Sequence, residues 1–348
     1  MEAFIGIDVA VAKGKYCPIS ICVKEQGILK PLLLASEEIQ PPKGRGNIAT
    51  LNKANNTAYA VEIKEYLLAV CETYNLTPAR IAIDSPLQPR AAHLSRRHAE
   101  RALDELGMSC YTTPSQADFE NILVKAKTHI VMGGPANKMP HSMQIFMLAG
   151  FAIAEVLKHV APCIEIYPHA TAKLLGVASK HKARDDQAFV QLNAISKYSG
   201  WPSTEDDWKQ VTNICKGPVH DKIDAYSAAW VASLSTSNRQ ALGEKSDEDV
   251  IWIPRLNDLV VHETNYDYTS RINAALTIGR QLKSKKSKAE SNDAEAVSNH
   301  KKLCPACKNY WFKRWPFGWD AHAAHKCAGI EGSDITIRKR IYKDRFLN

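Results

Sequence analysis

Hydrophobic and polar positions change rhythm several times along the chain. Residues 3–10 (AFIGIDVA) are a short apolar run rich in β-branched residues, which predicts a buried central strand broken by one carboxylate, Asp8. Two more strand-like runs follow at 15–24 (KYCPISICVK) and 27–35 (GILKPLLLA), joined by Glu25-Gln26-Gly27. Gaps this tight predict hairpins, so the first three strands are expected to form an antiparallel meander. Residues 37–55, with Pro41-Pro42 and Gly44-Arg45-Gly46, read as a polar loop. From 57 to 74 the apolar spacing turns helical (Val61, Tyr66, Leu67, Val70), and 80–86 (RIAIDSP) returns to a strand that Pro86 ends. Such a helix is a crossover, which places the Asp84 strand parallel to the first.

The second half predicts a basic helix over 91–106 closed by Gly107, a short strand at 108–113 and an apolar helix over 142–160. A strand at 163–168 carries Glu165, and a helix covers 187–198. Residues 204–211 lead through Gly217-Pro218 into a last helix, from 220 or 221 to 234, and 250–254 reads as an edge strand ended by Pro254. From 281 to 302 the sequence turns to Lys, Ser, Asn, Ala and Glu, a solvated linker or exposed helix. The expected organisation is an α/β domain over 1–255, a helical or basic linker over 256–302, and a small module over 303–348.

A chain of 348 residues that is 45% hydrophobic buries a full core. Its longest apolar stretch, 145–157, contains Glu155 and falls short of the roughly 20 residues a bilayer demands. Met1-Glu2-Ala3 lacks the basic start of a signal peptide, so a soluble cytoplasmic protein without a membrane partner is expected. Six cysteines (Cys17, Cys22, Cys71, Cys110, Cys163, Cys215) lie in apolar surroundings, as reduced core residues do. Charge is uneven: residues 281–348 hold 15 Lys or Arg against 7 Asp or Glu, a surplus equal to the net charge of +8 of the whole chain. That surplus favours an anionic polymer such as DNA or RNA.

The candidate chemistry is carboxylate chemistry. Burying an ionised Asp costs several kcal/mol, roughly, unless a cation or donor network receives it. Asp8 and Asp84 each sit in an apolar strand. Asp221 and Asp224 are three apart on the last helix, near one face, although Asp221 also suits a first helical turn. Delivered to one sheet edge, such acids suit Mg²⁺ or Mn²⁺, which takes a few oxygens from separate elements plus water.

The ordered segments GIDVA (6–10), AIDSPL (82–87), Arg97, SMQIF (142–146), EIYPHA (165–170), KLLG (173–176) and HDKIDAYSAAWVA (220–232) resemble an uncharacterised bacterial and archaeal family described as predicted nucleases of ribonuclease H fold. The resemblance covers about 1–255. It implies a ribonuclease H-like mixed sheet, three antiparallel strands and then parallel ones, flanked by helices. It also implies hydrolysis of phosphodiester bonds by two Mg²⁺ ions, with Asp8 bridging them and Asp84, Asp221 and Asp224 completing their shells. Glu165 fits the family's Glu-x-x-Pro signature as a fifth catalytic acid, with Glu62 a weaker candidate. Arg90, Arg96, Arg97, Arg101, Lys173 and Lys180 are candidate phosphate contacts, and His220 a proton shuttle. Two other readings are a catalytically silent nucleic-acid-binding or scaffold protein, and an actin-like or sugar-kinase-like ATPase. The second needs Gly, Ser or Thr after the first Asp, where Val9-Ala10-Val11-Ala12 stands here.

Near the C-terminus, Cys304-Pro305-Ala306-Cys307 points two thiolates at one ion, and His322 with Cys327 completes a tetrahedral Zn²⁺ site, His325 being the alternative fourth ligand. The 14-residue gap from Cys307 to His322 exceeds the usual 12 of a two-Cys, two-His finger. Trp311, Phe312, Phe317 and Trp319 supply a small core, and Lys308, Lys313, Arg314 and the tail Arg338-Lys339-Arg340 suit phosphates. A protein partner is the finger's competing role.

Overall fold

The computed structural model describes residues 1–178, 185–244 and 249–262, all within the first of two compact units, Met1–Gly279 and Arg280–Asn348. The first strand, β1 (Glu2–Ile7), pairs antiparallel with β2 (Ile19–Glu25), and β2 with β3 (Ile28–Pro31), as the hairpin spacing predicts. β2 starts later than the apolar run that encodes it. A short helix α1 (Asn47–Thr50) precedes the 21-residue α2 (Lys53–Thr73), whose N-terminus is capped by the Asn52 side chain accepting from Ala54 N. The chain then enters β4 (Thr77–Ile83), which runs parallel to β1.

Next come α3 (His98–Glu105), α4 (Gln116–Val131), α5 (Ser142–Ile145) and α6 (Met147–Leu157). β5 (Cys163–Ile166) joins the sheet parallel to β4 and is followed by α7 (Pro168–Leu174), α8 (Asp185–Ser199), α9 (Glu205–Gln210) and α10 (Val219–Ser233). The antiparallel pair β6 (Arg239–Glu244) and β7 (Asp249–Pro254) completes a seven-stranded mixed sheet of order β3-β2-β1-β4-β5-β7-β6. No helix among the described residues is long and apolar enough to cross a membrane.

Strand alternation divides the core between the two faces of the sheet. Ala3, Ile5, Ile7, Ile81 and Ile83 pack with Ile63, Tyr66, Leu67 and Val70 of α2 and Ile153 and Leu157 of α6. Phe4, Ala82, Ile164 and Ile166 pack on the other face with α8 and the small-residue stripe of α10. The closest approach is at Gly6, where a Cβ would stand 2.0 Å from Ala225 O and 2.3 Å from Ala229 N, so α10 crosses β1 backbone to backbone.

Several expectations are corrected. The helix expected over 91–106 exists only from His98, because its cap is remote: Asp249 accepts from His98 N at 2.6 Å and Ala99 N at 3.4 Å. The strand expected at 108–113 is irregular chain, and the helix over 142–160 is two pieces, entered through left-handed His141 (φ 57°). β7 is internal rather than an edge, since β5 pairs with it on one side and β6 on the other. β6 escapes a periodicity reading because its sequence, RQALGE, buries little beyond Arg239 and Leu242.

Candidate active site

Two carboxylates leave the sheet side by side. Ile7 pairs with Ile83 in the parallel β1–β4 register, so the next residues, Asp8 and Asp84, emerge from neighbouring strands at one level, about 4.8 Å of strand spacing apart. The register is carried past the strand ends by Asp84 N donating to Ile7 O at 2.9 Å, while Asp8 N donates to Pro18 O at 3.1 Å. A third carboxylate comes from α10. Its C-terminal end is tied to the middle of β4, where the Arg80 guanidinium donates to Ala232 O at 2.5 Å and Leu234 O at 3.1 Å. Its Ala225 lies over Gly6, so the first turn, with Asp221, reaches the level of Asp8. The positive end of the helix dipole therefore faces the same place as the two strand carboxylates.

Asp8, Asp84, Asp221 and Glu165 line one cleft of about 570 Å³, together with Lys15, Ser85, Arg97 and Glu100. His220 Nε2 lies 2.8 Å from Asp221 Oδ1. Asp224 does not reach the cleft lining. At 100° per residue its side chain is turned about 60° from that of Asp221, and it is 4% exposed and accepts from Gln191 Nε2 of α8 at 2.9 Å. Of the four Asp residues expected at one edge, Asp8, Asp84 and Asp221 line this cleft and Asp224 does not.

Glu165 forms the buried floor. The Arg97 guanidinium holds both its oxygens, Nη1 to Oε1 at 2.9 Å and Nη2 to Oε2 at 2.7 Å, and donates through Nε to Asp249 Oδ1 at 2.8 Å. Burial opposes the charge on Arg97, but Glu165 and Asp249 outweigh it and push its pKa up, so the guanidinium is a fixed cation. Burial also pushes the Glu165 carboxyl up, against the pull of Arg97. Cys110, at the cleft wall, has its thiol pushed up to about 11, mainly by burial, which makes it a poor nucleophile.

The other basic candidates are engaged elsewhere. Arg90 pairs with Asp118 at 2.7 Å, Arg96 with Asp104 at 2.8 Å, and Arg101 donates to Ser95 Oγ at 3.2 Å. Glu62 pairs with Arg45 at 2.6 Å on an exposed face of α2, and Lys173 donates to Gly107 O. Lys180 and the finger residues Cys304, Cys307, His322, His325 and Cys327 lie outside the described residues. Asp249 and Lys15 are the contributors that sequence reasoning passes over. Asp249 carries the same signal as Asp8, an acid against an apolar run (VIWIP), whereas nothing local marks Lys15.

The carboxylate-rich lining suits a cation. Mg²⁺ binds through one or two carboxylates and keeps several waters. Among the described residues no three His, Cys, Asp or Glu side chains gather closely enough to cage an ion alone, so water and substrate oxygens would complete the shell.

No curated protein and no solved structure matches the chain. Residues 43–247, more than half the chain, match the family described as a protein of unknown function (DUF429), and the chain belongs to that family.

Proposed function

We propose that this cleft hydrolyses phosphodiester bonds in nucleic acid with the help of divalent metal ions, in a domain of the ribonuclease H-like type. The observation that carries the reading is the in-register emergence of Asp8 and Asp84 from adjacent parallel strands, with the first turn of α10 bringing Asp221 to the same cleft. The strand order, an antiparallel β3-β2-β1 meander continued by parallel β4 and β5, supports the fold assignment. Charge supports the metal, since five carboxylates line the cleft against two cations, Lys15 and Arg97, and would repel an unaccompanied phosphate.

Asp8 and Asp84 would hold Mg²⁺ or Mn²⁺, with Asp221 reaching the ion through water. Bound there, such ions lower the pKa of a water and stabilise charge on the leaving oxygen. The chain's own groups do the rest. The Arg97–Glu165–Asp249 network fixes the floor in one rotamer set, the N-terminus of α10 favours negative charge, and Lys15 attracts phosphate. Glu165 acts in this reading as a positioning residue, because both its oxygens are taken by Arg97. In the C-terminal unit, Cys304, Cys307, His322 and Cys327 would bind Zn²⁺ and, with the basic residues around them, retain DNA or RNA or a protein partner.

The test is a panel of labelled DNA and RNA incubated with Mg²⁺ or Mn²⁺ beside Asp8→Asn and Asp84→Asn. Each variant is expected to lose at least about a hundredfold in rate, the scale for removing one preorganised charge contact, while its circular dichroism is unchanged. Wild-type protein that cleaves none of the panel, yet retains it on a filter, would favour the silent binding module instead.

A further inference from the structure

The wall of the cleft beside the acids is apolar and aromatic, which a site for bare phosphate chemistry does not require. Tyr111, Met143, Phe146 and Tyr167 share the lining with Asp8, Asp84 and Asp221. Tyr111 is 57% exposed and Met143 44%, large apolar side chains left open to solvent at a cleft mouth rather than folded into the core. Ile83 pairs with Glu165, so Asp84 is level with Ile166 on the neighbouring strand, and Tyr167 follows one residue beyond it at the same sheet edge. Its hydroxyl donates to Ser109 O at 3.3 Å, tying that edge to the segment that carries Tyr111.

Resting on the hydrolase reading, we propose that the cleft takes a single unpaired nucleotide of a strand, its phosphate at the carboxylates and its base against Tyr111 and the neighbouring aromatic and thioether wall. Three physical arguments favour an unpaired strand over a duplex. A volume of about 570 Å³ is that of a pocket for one small molecule, where such pockets run from roughly 300 to 1,000 Å³. A base inside a duplex shows its edges to a protein and hides its faces, so only a splayed-out base can lie flat on a tyrosine. Base–aromatic stacking tolerates every base, which suits a wall with few directional groups.

The experiment uses the full chain in Ca²⁺, to hold cleavage back, at about 0.3 M salt, where phosphate contacts of the basic tail weaken. Binding of a labelled single-stranded hexamer, an abasic hexamer and a hairpin duplex is compared for wild type, Tyr111→Phe and Tyr111→Ala. Tyr111→Ala is expected to weaken the base-bearing strand about 5- to 150-fold, the range that loss of one stacked base converts to. The abasic strand and the duplex should change less than twofold, and Tyr111→Phe, which keeps the ring, should behave as wild type. Unchanged binding of the base-bearing strand, or an equal loss on all three ligands, overturns the proposal. Cleavage in Mg²⁺ is scored separately: no cleavage with the stacking pattern intact removes the hydrolase reading and leaves this one, while cleavage of the base-bearing and abasic strands at equal rates by both wild type and Tyr111→Ala removes this one and leaves hydrolysis.

Discussion

Single residues decide whether the carboxylates meet. Gly6 has no freedom to grow, because its missing Cβ would overlap the backbone of α10 rather than a movable side chain. Gly6→Ala is therefore expected to destabilise by about 3 kcal/mol or more, at the upper end of overpacking effects, and urea denaturation measures it. The buried floor is equally sensitive. Arg97→Met leaves Glu165 and Asp249 facing each other without their cation and should lose about 3–5 kcal/mol. Glu165→Gln, which removes one charge and keeps a polar partner, should lose clearly less, and the reverse order would show that the network is not what holds the floor.

Acid sensitivity is also set by residues. Asp118 closes the capping box of α4 with Ser115, whose hydroxyl and backbone N–H lower its pKa, and Arg90 adds to the effect. In the equivalent box of α9, burial alone would raise Asp207, but hydrogen bonds from Ser203 and Thr204 outweigh it and lower its pKa. A carboxyl depressed on folding gives stability that is complete above its unfolded value near 3.9 and is lost as pH falls through the folded value. The N-terminal turns of α4 and α9 should thus lose protection from amide hydrogen exchange below about pH 4, and Ser115→Ala, which removes the hydroxyl but leaves the backbone N–H and Arg90, should weaken that dependence in α4 alone.

At the scale of elements, α10 is the part that turns a sheet edge into a site. It is positioned at its middle by contact with Gly6 and at its C-terminus by Arg80. Arg80→Ala removes charge-assisted bonds to two terminal carbonyls. It should lower stability by about 1.5–3 kcal/mol, and reduce the cleavage rate without touching the cleft, because Asp221 is carried by the same rigid helix. A loss of stability with full activity would show that α10 is held by its packing alone. The same scale explains the misread elements. The apolar rhythm passes over α4 and α9 although each has a local capping box, at Ser115 and Thr204, whereas α3 takes its cap from Asp249, some 150 residues away. β6 is a strand because β7 offers it a ladder, and its own side chains carry no strand rhythm.

For the molecule as a whole, charge and composition divide the chain into a balanced α/β region and a basic C-terminal region that holds the cysteine and histidine cluster. If the four proposed ligands bind Zn²⁺, metal analysis should give one zinc per chain, and Cys304→Ser should abolish it. That variant should also weaken retention of long nucleic acid while leaving cleavage of short strands by the cleft within about twofold.

What the chain determined alone were the features written locally: apolar runs with an acid at Asp8 and Asp84, the meander, the helical stripe of α2, and an apolar helix beginning near Asp221. What only the tertiary structure decided was which of those groups meet. Register paired Asp8 with Asp84, the rotation of α10 sent Asp221 to the cleft and Asp224 to Gln191, and Arg97 claimed Glu165. The reason is physical. Periodicity reports which side of an element is buried, a property of neighbouring residues, whereas a site is built from contacts between elements far apart in sequence, fixed by how closely backbones can approach and which buried charges find each other.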